Sequence, residues 1–132
     1  AVPANLSIGE DITRDPDILA ATLETESAMV KHGSKNFLFI DLRETKERTR
    51  DGSIPGALHI PYPELQNSLR TGGALNTITN SASMKILFFC AYGERSALAL
   101  RDARESGVDN AMHLAGGYAA WTNANGQIEV IN

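Results

Sequence analysis

The chain has 132 residues, 42% hydrophobic and 21% charged, with a formal net charge of -4. That length fits one domain with its own core, and the balance of residues excludes a disordered chain. No apolar run is long enough to cross a bilayer, and the scattered bases argue against nucleic acid or a membrane as partner. A single cysteine leaves no internal disulfide, and with three scattered histidines it makes no ligand set, so neither metal nor cofactor is expected. The opening Ala1-Val2-Pro3-Ala4 lacks a basic segment followed by an apolar one. No signal peptide is therefore expected, and the expected location is cytoplasmic, or periplasmic if a leader had been cleaved before Ala1.

Taken in order, Asp15 and Pro16 predict a helix cap and first turn, with Ile18, Leu19, Leu23, Met29 and Val30 on one face and a stop at Gly33. Glu26 intrudes on that face. The run Asn36 to Asp41 predicts a buried strand, and Glu44 to Asp51 a short exposed helix or turn ending at Gly52. Ser53 to Ala57 predicts a rigid turn, Leu58 to Ile60 a brief strand, and Pro61 and Pro63 a short helix through Leu65 and Leu69. Gly72 to Ser83 reads as a loop and Lys85 to Phe89 as a second buried strand. From Ser96, a helical arc runs through Ala99, Leu100, Ala103 and Gly107, with Arg101, Asp102 and Glu105 off it. Ala111 to Leu114 predicts a last strand, followed by Gly116-Gly117 and a turn of helix carrying Trp121 as a packing residue. Short buried strands alternating with helices predict one α/β domain over 1–132, a mostly parallel sheet flanked by helices in three layers. Ligands bind such sheets at the carboxyl ends of the strands, where Asp41 and Cys90 both fall.

Cysteine is often a small buried hydrophobe, and Phe88 and Phe89 beside Cys90 suit that reading. Three features point instead to a nucleophile: Cys90 ends its strand, Gly93 follows in a short loop, and Arg95 and a helix start close that loop. A helix N-terminus and a cation both favour thiolate over thiol, and converging amides form an anion nest. His59 and His113 lie in β-like runs and read as packed or surface residues rather than bases.

Four segments match recognisable signatures. Asp41-Leu42-Arg43-Glu44 resembles D-x-R-E, and Gly52 to Pro61 resembles G-H-I-P-G-A-x-x-I-P. Cys90 to Ser96 resembles the catalytic loop C-x-x-G-x-R-S, and Leu114 to Trp121 resembles L-x-G-G-x-x-x-W. Together they lie within residues 36–122, and in this order they resemble the single-domain rhodanese family of sulfurtransferases. The resemblance implies a compact rhodanese-like fold and covalent catalysis in which Cys90 takes sulfur from thiosulfate or a persulfide donor and passes it to a thiol, to cyanide, or to a protein acceptor. Ala91, Tyr92, Gly93, Glu94, Arg95 and Ser96 are then the substrate-binding loop. Arg95 either grips a sulfonate or clamps the loop. Ser96 reads as a polar residue of the first helical turn, with a hydroxyl near the bound sulfur as the alternative. Glu94 opposes a doubly charged donor if it faces the pocket. Asp41 and Arg43 read as supporting groups that hold neighbouring loops. Two positions depart from the pattern: Ser53 where histidine is usual, and Arg48 where an aromatic often follows. Both question local packing more than activity.

Two rivals remain. Cysteine phosphatases and arsenate reductases use a related loop with five residues between Cys and Arg. Here only Ala91, Tyr92, Gly93 and Glu94 intervene, one of them acidic, and Phe89 stands where phosphatases have histidine. The other rival is a persulfide carrier or docking module that hands its sulfur to a partner.

Overall fold

Strands buried on both faces need apolar residues at every position, and the two continuous apolar runs occupy the middle of the sheet. A computed structural model describes residues 12–70, 72–81 and 84–132; the reading of Ala1 to Ala4 lies outside them. In chain order the elements are α1 (Pro16–Leu19), β1 (Thr22–Leu23), α2 (Thr25–Lys31), β2 (Phe37–Asp41), α3 (Thr45–Asp51) and β3 (Leu58–His59). A 3-10 turn (Tyr62–Glu64) then leads to α4 (Leu65–Leu69), α5 (Ala74–Ser81), β4 (Lys85–Phe89), α6 (Glu94–Glu105), β5 (Ala111–Leu114) and α7 (Gly117–Asn123). The five strands are all parallel in the order β1-β5-β4-β2-β3. After β3 the chain crosses back over β2, so a crevice opens between the carboxyl ends of β2 and β4, where Asp41 and Cys90 sit.

Alternation along β4 sends Ile86 and Phe88 into one core and Leu87 and Phe89 into the other. Cys90 keeps the parity of Ile86 and Phe88, so its thiol faces the first core and α6. Small residues on that helix, Ala97, Ala99 and Ala103, are fully buried and let it approach the sheet closely. On the other face Trp121 packs edge-on against Phe39 and His32, and its indole N–H donates to Gln127 O at 2.6 Å. The tail that follows returns to pair Glu129 with Ser53.

Five expectations need correction. The single helix expected from Pro16 to Gly33 is two helices separated by β1. The sheet edge takes the backbone of Thr22–Leu23 as a parallel strand beside β5, with His113 N–H donating to Ala21 O and Ala115 N–H to Leu23 O. The apolar residues there do not share a face, since Ile18 is buried while Leu19 and Val30 are exposed. The loop expected over Gly72 to Ser83 contains α5. Its Gly-, Thr- and Asn-rich sequence is a poor intrinsic helix former, and burial of Leu75 in the first core overrides that preference. Helix α6 begins at Glu94, two residues before Ser96. Asp102 lies on its covered side, because its carboxylate accepts the Tyr62 hydroxyl at 2.9 Å.

Candidate active site

Cys90 is 1% exposed at the end of β4, and the chain then turns through a loop whose geometry Gly93 makes possible. Gly93 has φ +116° and caps α6, a conformation that an L side chain resists. Its amide hydrogen points at Cys90 Sγ, with N···S 3.1 Å, and that of Ser96 does the same at 3.4 Å. Glu94 and Arg95 lie in the first turn of α6, whose amides have no partner within the helix. The loop therefore converges N–H groups on the sulfur, forming a nest suited to an anionic atom.

The loop is held from two sides. Gly116 and Gly117, at φ +72° and +63°, bring the N-terminus of α7 under it. From there Tyr118 N–H donates to Cys90 O at 2.8 Å and Ala119 N–H to Ala91 O at 3.0 Å. On the opposite side Arg95 forms a two-pronged pair with Glu47 of α3, at 2.9 and 3.0 Å. Glu47 also accepts the Glu44 amide at 2.8 Å. Hydrogen bonds from Arg95 hold the Glu47 carboxyl at about 2, against an ordinary 4.5. A depressed carboxyl contributes stability above its unfolded value, and that contribution is lost as pH falls through the folded value. The urea midpoint should therefore fall as pH drops from about 4.5 towards 2, and Glu47→Gln should flatten that part of the curve. An equally steep fall in the variant would show that the pair does not couple to folding.

One strand over, Asp41 is wholly buried at the end of β2. Its Oδ1 accepts Arg43 N–H at 2.9 Å and Nε–H at 3.0 Å. Its Oδ2 accepts Arg43 Nη2 at 2.9 Å, Arg48 Nε at 3.2 Å and the Ser53 hydroxyl at 2.8 Å. Burial alone would raise this carboxyl, but the Arg43 bonds, its charge and Ser53 together hold it below 3.8. Arg43 is 1% exposed; it also donates to Gly52 O at 2.7 Å and lies 4.1 Å over the Tyr118 ring. The two residues that depart from the family pattern, Arg48 and Ser53, are thus both partners of Asp41.

The structure brings Cys90 through Ser96 together and sets Asp41 behind them. A cavity of about 360 Å³ opens beside the loop, and Arg43, Glu47, Arg50, Ala91, Tyr92 and Tyr118 are in its wall. Asp41 does not line it. Tyr92 is 69% exposed at its rim. Glu94 is exposed and borders a separate cavity of about 220 Å³ with Tyr92, Gly93 and His113. His59 donates from Nε2 to Arg43 O at 2.7 Å and so braces the β2 end.

Nothing in the sequence singles out Glu47 or Tyr118, and its pattern marks His113 only as a packed or surface residue. His113 is 2% exposed, and its Nδ1 lies 2.9 Å from Ser96 Oγ. The alternation of β5 was the available signal, since it puts His113 on the Ala111 side of the sheet, facing α6. Nothing local marks Glu47 as the partner of a residue 48 positions away.

A family model described as rhodanese-like domain matches residues 21–124. The chain belongs to the rhodanese-like domain family. It is 33% identical over 93 residues to the mouse (Mus musculus) thiosulfate sulfurtransferase/rhodanese-like domain-containing protein 3, covering 67% of this chain and 59% of that protein. The match thus spans about three-fifths of the mouse protein. It is 35% identical over 83 residues to the human (Homo sapiens) thiosulfate:glutathione sulfurtransferase, covering 58% of this chain and 72% of that one. Among solved structures, a Rhodopseudomonas palustris protein of unknown function, described as a possible tyrosine phosphatase, superposes with TM-score 0.83 at 29% identity, covering 98% of this chain and 96% of that one. A human single-domain sulfurtransferase superposes with TM-score 0.64 at 29% identity, covering 78% and 96%. Among the described residues, no helix is long and apolar enough to cross a membrane.

Proposed function

We propose that this protein moves sulfane sulfur from thiosulfate or a persulfide donor to a thiol, or to cyanide in an assay, through a persulfide on Cys90. The observation that carries the reading is the pair of amides at 3.1 and 3.4 Å from Cys90 Sγ, at the carboxyl end of β4. In the first step the thiolate attacks the outer sulfur of thiosulfate. A bond forms between Cys90 and that sulfur, the sulfur–sulfur bond of the donor breaks, and sulfite leaves with the electron pair. In the second step an acceptor thiolate takes the terminal sulfur and Cys90 departs as thiolate. The loop amides offset charge on the donor and on the persulfide. With Arg95 committed to Glu47, its role here is to clamp the loop. The human relative named for thiosulfate and glutathione supports a small thiol as acceptor.

The phosphatase reading draws on the description of the Rhodopseudomonas palustris neighbour. Phosphate needs an arginine turned into a wide ring of amides, whereas Arg95 is turned to Glu47 and closes a loop with only four residues after the cysteine. Intact mass after incubation with thiosulfate separates the readings. A gain of one sulfur atom (about 32 Da) is expected, removed by cyanide and absent in Cys90→Ser. No gain with any sulfane donor, together with Cys90-dependent hydrolysis of an aryl phosphate, would replace this function with the rival. A carrier differs from a catalyst in turnover: loading without repeated transfer to small thiols would point to a protein acceptor.

A further inference from the structure

A line of three buried side chains runs inward from the sulfur. Cys90 Sγ lies 3.7 Å from Ser96 Oγ, which lies 2.9 Å from His113 Nδ1, and the three residues are 1%, 0% and 2% exposed. The transfer steps above make no use of His113. Its far nitrogen, Nε2, is buried without a hydrogen-bond partner among the described residues. That orphan atom decides the tautomer. Burial pushes the ring's titration down to about 4, so near neutral pH it carries one N–H. On Nε2 that N–H would be a buried unpaired donor, the costlier arrangement; on Nδ1 it finds Ser96 Oγ and leaves only a bare lone pair behind.

We propose that His113 is a positioning residue for Cys90: its Nδ1–H occupies the Ser96 oxygen from behind and commits the Ser96 hydroxyl hydrogen to the sulfur whenever the sulfur is a thiolate. The inference rests on Cys90 being the nucleophile. The hydroxyl has one hydrogen and two acceptors in reach, Gly93 O at 3.1 Å and Cys90 Sγ at 3.7 Å. With Cys90 as a thiol, S–H donates to Ser96 Oγ and the hydroxyl turns to Gly93 O. With Cys90 as thiolate, the hydroxyl turns to the sulfur and joins the amides of Gly93 and Ser96 as a third donor. No proton leaves Ser96 or His113 in either state, because the change is a rotation about one C–O bond. A protonated imidazole is not required.

The charged groups around this line are Arg95, which acts electrostatically on Cys90 while paired with Glu47, and Glu24 and Glu94, which border the second cavity beside His113. All three stay in place in the variants that test the proposal. The readout is the rate of Cys90 alkylation by iodoacetamide against pH in the full chain. Ser96→Ala and His113→Leu should each make alkylation roughly tenfold slower at neutral pH and move its rise upward by about one pH unit, the scale of one hydrogen bond to a charged group. The double variant should be no slower than either single one. His113→Asn, whose amide N–H can stand at the Nδ1 position, should restore most of the rate. An unmoved profile in His113→Leu, or additive losses in the double variant, overturns the proposal. Ser96→Ala removes one oxygen and reads the line from its other end if His113→Leu does not fold; an unmoved profile there also overturns it. Alkylation needs no sulfur donor. Failure here leaves the persulfide reading intact, and failure to load sulfur with a normal alkylation profile would sink that reading alone.

Discussion

Asp41→Asn is expected to lower the unfolding free energy by about 3–5 kcal/mol, the typical loss when one partner of a buried ion pair is removed. Asp41 and Arg43 are 0% and 1% exposed, and Arg48 adds a second guanidinium at 3.2 Å. An amide of the same shape still fills the space, so the loss measures charge and hydrogen bonding rather than a cavity. One amide oxygen cannot accept what two carboxylate oxygens accept, and its NH2 group would face cationic donors. Arg43 would be left as a buried charge with Gly52 O and the Tyr118 face as its remaining partners. Since whole domains are stable by about 5–15 kcal/mol, this one atom exchange removes a large fraction of the total. The measurement is the urea midpoint at unchanged slope. A loss below about 1 kcal/mol would mean that the pair is far better solvated than its burial implies. Asp51→Asn at the exposed pair with Arg50 is the control, expected to leave the midpoint unchanged.

The second large effect belongs to a residue with no side chain. Gly117→Ala should reduce sulfur transfer by about a hundredfold, the order associated with misplacing a reacting group by about 1 Å. A Cβ at Gly117 would lie 2.5 Å from Cys90 O and 2.7 Å from both Ala91 C and Ala91 O, so it collides with the backbone of the Cys90 loop itself. Its φ of +63° adds the strain of a left-handed residue. The clash can be relieved only by moving α7 away or by pushing the loop out, and both break the bonds from Tyr118 and Ala119 that seat the loop. Gly33→Ala is the comparison, with φ +85° and no atom within 4 Å. It carries the strain without the collision, so stability should fall by about 1 kcal/mol while transfer is kept. Equal transfer rates in the two variants would show that loop placement is not what Gly117 secures.

These results also indicate what a sequence makes legible. The central strands and the Cys90 loop could be read because their signals are local: a run of large apolar residues, then a thiol, a glycine and an arginine within six positions. Strand β1 could not, because two residues carry no period and its existence depends on the free edge of β5. Helix α5 was hidden for a related reason, since its sequence disfavours helix and the anchoring Leu75 gains its burial from distant partners. In the site, the main-chain part followed from the loop's own residues. The parts that fix Arg95 and Ser96 in place, Glu47 and His113, come from other elements. Pairing across 48 and 17 positions leaves no trace in spacing.

Asp41 Oδ2 has three donors on it, from Arg43, Arg48 and Ser53, and has no capacity for a fourth. Positions 48 and 53 are therefore epistatic. Exchanging Arg48 alone for an aromatic removes a donor that Asp41 uses, and exchanging Ser53 alone for histidine crowds an oxygen that Arg48 already occupies. The joint exchange relieves that crowding, because Arg48 withdraws from the oxygen as the larger donor enters. In a lineage, the two positions should change together or not at all, and a chimera that grafts one without the other inherits a frustrated carboxylate beneath an otherwise intact active site.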